Sequence, residues 1–135
     1  GLKLLAQGGI TPVVITGRDS PAVRRRIVDL GIAHAVYGAR DKLAVAAQVM
    51  DELKLGWDTL AVMGDDWPDL PLMTRAAFAC APANAHAEVR AVAHHVTRAT
   101  GGSGAARECC DLLLMASGRY AELLRGHLTT LDRVP

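Results

Sequence analysis

Two short runs of consecutive apolar residues set the strongest limit on what this chain can fold into: residues 12–16 (PVVIT) and 59–63 (TLAVM), each running directly into a polar turn. A strand that is apolar at successive rather than alternate positions buries both faces, the condition of a strand inside a parallel sheet covered by helices. The segments between them carry helix punctuation. Ser20 and Pro21 supply an N-cap and a first turn, with Val23, Ile27 and Leu30 as the inner stripe and Gly31 as the stop. Asp41 caps a second helix whose apolar positions are Leu43, Ala46, Ala47, Met50 and Leu53, with Gly56 just past its end.

The alternation extends in both directions. Residues 2–7 read as the end of a helix stopped by Gly8 and Gly9, 34–37 as a strand, 69–75 as a short helix, 77–81 and 94–97 as two further strands, and 85–91 as the helix between those two. After a glycine-rich segment at 100–104, one helix runs to residue 116 and another covers 119–124. Strand and helix in alternation predict the α/β class with a parallel sheet, because a parallel connection has to cross over the sheet. With 135 residues there is chain enough for one core and too little for two, so a single domain over residues 1–135 is expected.

Charge and cysteine usage narrow the function. Fifteen basic residues against fourteen acidic leave a net charge of +1, and neither sign forms a block, which argues against a nucleic-acid or membrane partner. Arg24, Arg25 and Arg26 fan around a helix axis and read as a solvated face. No stretch reaches the roughly 18 apolar residues of a membrane span. The three cysteines, Cys80, Cys109 and Cys110, include no Cys-x-x-Cys pair, so they point to neither a disulfide framework nor a zinc knuckle and fit a reducing cytoplasm. Cys109 shares core spacing with Leu112, Leu113 and Ala116 and reads as packing. His94 and His95 are neighbours in an expected strand and face opposite sides, against a shared metal site.

Three segments could carry chemistry. Thr16-Gly17-Arg18 and Gly64-Asp65-Asp66-Trp67-Pro68-Asp69 each follow one of the two apolar runs, and Lys42 opens the helix between them. Ligand sites in parallel sheets lie at the carboxyl ends of the strands, so a hydroxyl, an ammonium and several carboxylates converge on one edge. That set suits a phosphate dianion held beside a hard divalent cation. Magnesium takes oxygen ligands and keeps several waters, so one or two aspartates anchor it: Asp65 and Asp66 as ligand candidates, with Asp69 in support. Thr16 and the N–H groups of Gly17 and Arg18 can donate to phosphoryl oxygens, while Lys42 offsets charge. Each segment alone has a plain reading, as a capped turn, a strand-ending turn or a surface lysine. Their order and shared edge favour the site.

Thr16, Lys42 and Gly64-Asp65-x-x-x-Asp69, in that order, resemble the second, third and fourth motifs of the haloacid-dehalogenase-like phosphotransferases. A finer likeness is to the capless phosphatases of 3-deoxy-D-manno-octulosonate 8-phosphate. It is carried by Val14-Ile-Thr-Gly-Arg18, Gly38 with Lys42-Leu43, Gly64-Asp-Asp66, Gly101-Gly-Ser-Gly-Ala-Ala-Arg-Glu108 and Cys110-Asp-Leu-Leu113. The resemblance implies a Rossmann-like three-layer sandwich and a magnesium-dependent, two-step phosphoryl transfer in lipopolysaccharide precursor synthesis. In that chemistry an aspartate takes the phosphoryl group, a second aspartate two residues on acts as acid and base, and water releases phosphate. Carried over by motif, Thr16, Lys42 and Asp69 are the catalytic positions, Asp65 and Asp66 the metal positions, and Thr16, Gly17, Arg18 and Lys42 the contacts to a small sugar phosphate. Members of the family are tetramers, which makes Gly101, Gly102, Gly104 and Arg107 candidates for a subunit interface or the site mouth; the plain reading is a flexible glycine turn with Arg107 and Glu108 as a solvated helix start.

The family's first motif, Asp-x-Asp on an opening strand, occurs nowhere in this sequence, and Gly1 stands inside a helical pattern with no initiator Met. The expectation is that the intact protein has further residues ahead of Gly1, and that the 135 residues alone lack a first strand and are inactive. Other readings stay open. A phospho-acceptor receiver domain gathers similar residues, although its acids precede its Thr and Lys. A noncatalytic assembly role and a nine-carbon keto-sugar acid phosphate as substrate also remain. A dinucleotide site at Gly102-x-Gly104 lacks the βαβ unit and ribose-binding acid that would follow it.

Overall fold

The structure, a computed structural model, describes residues 2–101 and 104–116. Short strands alternate with helices: α1 (Leu2–Gln7), β1 (Val13–Ile15), α2 (Pro21–Asp29), β2 (His34–Val36), α3 (Lys42–Leu53), β3 (Ala61–Met63), α4 (Leu70–Arg75), β4 (Phe78–Ala81), α5 (Ala87–Val92), β5 (His95–Val96) and α6 (Ala105–Ala116). Two 3-10 turns, Trp57–Thr59 and Trp67–Asp69, flank β3. Every strand pairing is parallel, in the order β1–β2 and β3–β4–β5. This is the parallel α/β, Rossmann-like class expected. Among the described residues no helix is long and apolar enough to cross a membrane.

The caps act as their residue types dictate. Ser20 Oγ accepts from the Val23 N–H and Asp41 Oδ1 from the Ala44 N–H, each satisfying a donor that the first helical turn leaves open. At the other end of α3 the turn is made by Lys54, at φ 58°, and not by Gly56.

Burial differs from expectation in an instructive way. β1 and β3, read as buried on both faces, are only half-buried, with Ala61 exposed. The reason is their position: each is hydrogen-bonded on one side only among the described residues, at the end of its sheet. β4 lies between two strands and has Ala79, Cys80 and Ala81 completely covered. Leu30, Ala47 and Ala116, expected on inner stripes, are exposed. Leu30 is the cap residue after α2, and in α3 the covered positions are Ala46 and Met50.

The main core gathers Met73 of α4, Ala79 and Ala81 of β4, and Ala85 and Val89 around α5. Small residues on β4 let helices approach the sheet closely, and Met73 fills the space left over. A second cluster joins Leu5 of α1 to Cys110 and Leu114 of α6. Cys109 is buried as expected, and burial pushes its thiol well above the ordinary range, which keeps it protonated and unreactive. The helix expected over 119–124 lies outside the described residues, as does Gly102.

Candidate active site

Thr16 leaves β1 with its N–H donating to the Val36 carbonyl at 3.0 Å and its own carbonyl accepting from the Ala39 N–H at 2.9 Å. The side chain is thereby fixed at the carboxyl end of the β1–β2 pair. Its Oγ1 accepts from the Arg18 N–H at 3.1 Å, which leaves the hydroxyl hydrogen as the donor available to a ligand. Arg18 was expected to offer that N–H to a phosphoryl group; the tight turn directs it onto Thr16 instead. The exposed Arg18 side chain and the exposed Gly17 stay at the rim.

Lys42 is the first residue of α3, so the Asp41 cap that starts the helix also sets where its side chain begins. Its Nζ donates to Asp69 Oδ1 at 2.6 Å, with the two side chains only 18% and 11% exposed. The second Asp69 oxygen accepts from the N–H groups of Asp65 at 3.0 Å and Asp66 at 3.3 Å. Burial raises the Asp69 pKa, but Lys42 and the two N–H groups outweigh it and hold the carboxyl below its ordinary value. Gly64 makes room for this arrangement: a Cβ there would meet Asp69 Cβ at 2.6 Å and Met73 Sδ at 2.8 Å.

Asp66 and Asp65 are both exposed, yet differ. The Asp66 carboxylate accepts from the Trp67 N–H at 2.8 Å and caps the turn. The Asp65 carboxylate has no hydrogen bond or ion pair among the described residues, while its backbone is held at both ends, by Asp69 and by the His86 N–H on its carbonyl at 3.0 Å. A loop whose backbone is tied at both ends thus presents a carboxylate unpaired among the described residues, in the turn whose Asp69 holds the half-buried Lys42. Among the described residues no three His, Cys, Asp or Glu side chains cluster as a metal cage, an arrangement magnesium does not require, since one or two carboxylates suffice.

Residues 31–108 match the family model of haloacid dehalogenase-like hydrolases, more than half of the chain. The chain belongs to that family. It is 37% identical over 122 residues to the 3-deoxy-D-manno-octulosonate 8-phosphate phosphatase of Escherichia coli K12, a match covering 90% of this chain and 65% of that protein. The chain therefore spans a little under two thirds of the curated relatives it matches. A solved Moraxella catarrhalis enzyme of the same name, in complex with magnesium, phosphate and the KDO molecule, superposes with a TM-score of 0.88 at 37% identity, over 93% of this chain and 72% of that one. The cobalt-bound Haemophilus influenzae enzyme gives a TM-score of 0.84 at 36% identity, over 88% and 70%. The branch expected from the motifs is the branch these relatives occupy.

The glycine-rich tail of this haloacid dehalogenase-like chain has a structural role that its sequence hid. The Gly101 N–H donates to Asn84 Oδ1 at 2.7 Å, and Gly104 turns into α6 at φ 106°. Glu108, readable as a solvated helix start, instead accepts from the N–H groups of Arg98 and Ala99 at 3.1 and 3.3 Å and lies 3.2 Å from His95 Nε2. Arg107 is exposed, with Asp111 at a distant 3.9 Å. Sequence reasoning overlooked Asn84 and gave no role to His86, which lacks ligand-like spacing, or to the Glu108 carboxylate. The usable signal was position: the first two lie in the loop leaving β4, at the edge where ligand sites form, and His86 reaches Asp65 through its backbone, which any residue type could do.

Proposed function

We propose that the full-length protein carrying this chain hydrolyses 3-deoxy-D-manno-octulosonate 8-phosphate to the free sugar acid and phosphate, a step of lipopolysaccharide precursor synthesis, with magnesium as cofactor. One observation carries the reading: in the turn 64–69, Asp69 is buried with both oxygens bonded, while Asp65 is held by its backbone and its carboxylate is unpaired among the described residues. That is the chemistry of an anchored cation ligand. The names of the relatives supply the substrate class. Bound magnesium would screen the phosphoryl oxygens and orient them.

The chain's own residues divide the remaining tasks. Thr16 donates its hydroxyl hydrogen to a phosphoryl oxygen. Lys42 neutralises the phosphoryl group, its ammonium aimed by Asp69. Asp65 holds the cation, with Asp66 stiffening the turn beside it. Arg18 supplies a guanidinium at the rim for the sugar carboxylate. No Asp-x-Asp triplet occurs in the sequence, so the residue that accepts the phosphoryl group is not among these. The 135 residues alone are accordingly expected to release no phosphate. The same reading has one catalytic domain, a homotetramer with the Gly101 turn and Arg107 near a subunit boundary, and a cytoplasmic location.

The test is phosphate release by the full-length protein from a panel of keto-sugar acid phosphates, eight- and nine-carbon, with and without magnesium. Turnover of the eight-carbon ester that needs magnesium and is lost in Asp65→Ala supports the reading. Activity indifferent to magnesium or to Asp65 contradicts it.

A further inference from the structure

The residues assigned so far meet the phosphate, the cation and one carboxylate; none of them reads the carbon skeleton of a sugar. Trp67 is suited to that role. It lies in the turn that presents Asp65, immediately after Asp66, yet the residue is 56% exposed. A large indole left in solvent in a turn that also carries the site's carboxylates is an apolar surface awaiting cover.

This indole is held in place. Its Nε1–H donates to His86 Nδ1 at 3.1 Å, and the two rings meet edge to face with centroids 5.1 Å apart at 66°. The carboxylate of Glu88 lies against the same nitrogen, Nδ1, and shares the indole N–H with it. The Trp67 backbone is fixed by its N–H on Asp66 and by Pro68 behind it. His86 in turn bonds the Asp65 carbonyl, so one small network sets both the uncommitted carboxylate and the aromatic face. A ring whose rotamer is already fixed costs a ligand little ordering entropy. Sugars present C–H faces that such a ring covers, with their hydroxyl groups left at the edge for water.

We propose that Trp67, braced by His86, is the platform on which the carbon skeleton of the bound sugar phosphate lies, a specificity-determining residue that governs KM and leaves phosphoryl transfer to the other groups. The proposal rests on the phosphatase reading above. It predicts that a substrate is held at two separable places: its phosphate by Thr16, Lys42 and the cation, its carbon chain by Trp67.

The test uses the full-length protein with Trp67→Ala, Trp67→Phe and, to leave Trp67 as the reporter indole of this chain, Trp57→Phe. Trp67→Ala should raise KM for the keto-sugar acid phosphate about 3- to 10-fold, the range a lost aromatic contact provides, with kcat within about twofold and inhibition by inorganic phosphate unchanged. Trp67→Phe should recover most of the loss. In the Trp57→Phe protein, indole emission should change on saturation with the dephosphorylated sugar acid and stay constant with inorganic phosphate alone. An unchanged KM in Trp67→Ala, silent emission, or phosphate inhibition weakening in step with KM overturns the platform while unaltered turnover leaves the phosphatase reading standing. If the unaltered protein turns over no keto-sugar phosphate, the phosphatase reading itself fails, and the platform with it.

Discussion

Asp65 and Asp69 stand four residues apart in one turn, carry the same functional group, and are used in opposite ways. Asp69 is 8% exposed, and its oxygens take Lys42 and two backbone N–H groups. Asp65 is exposed, with its backbone tied to Asp69 and its carboxylate unpaired among the described residues. A carboxylate out of water is tolerable only when its lone pairs are satisfied by the protein, and a satisfied carboxylate has little left for a ligand. Asp69 therefore builds the site and Asp65 offers it. The contrast can be broken by exchanging the environments' demands one residue at a time.

The largest effect is expected at Asp69. Asp69→Ala leaves Lys42 half-buried without its partner and strips the acceptor from two N–H groups, a loss of about 3–5 kcal/mol by chemical denaturation. The same carboxylate should make stability pH-dependent in a definite direction. Folding lowers its pKa below the ordinary carboxylate value. The stability it contributes is thus fully present above the unfolded value and is lost as pH falls through the folded one. Asp69→Asn should flatten that part of the acid limb. If Asp69→Ala were as stable as the unaltered protein, the architectural role would be wrong.

Next comes Gly64→Ala, which forces a methyl group against Asp69 and Met73. A cost of about 1–3 kcal/mol is expected from overpacking, with turnover falling because the Asp65 loop shifts; a melting curve and an initial rate suffice to check it. Asp41→Ala, which removes the cap of α3, should cost about 1 kcal/mol and raise KM modestly, since Lys42 starts that helix. Asp65→Ala should change stability by less than about 0.5 kcal/mol, as surface changes away from any buried network do. A larger drop would mean that Asp65 belongs to the scaffold.

The same contrast explains what the sequence made legible. Parallel strands, capped helices and the convergence of Lys42 with the turn 64–69 could be read in advance, because Ser20, Asp41 and the apolar runs act through local chemistry. The separate fates of Asp65 and Asp69 could not, since burial is decided by Gly64, Met73 and α3 closing over one of them. Nor could the half-exposure of β1 and β3, whose composition is that of covered strands while their pairing here is one-sided. Backbone contacts such as the His86 N–H on Asp65 leave no residue-type signature at all. Glu108 shows the reverse failure: a charged residue at a helix start looks solvated until the two N–H groups it caps, nine and ten positions earlier, are seen beside it.

The most direct test of the site is a calorimetric titration of magnesium into the full-length protein in the presence of inorganic phosphate, comparing the unaltered protein with Asp65→Ala. Affinity weakened by more than about tenfold in the variant, with its metal-free melting unchanged, is the result expected. Equal affinity in the two proteins would contradict a cation held at Asp65.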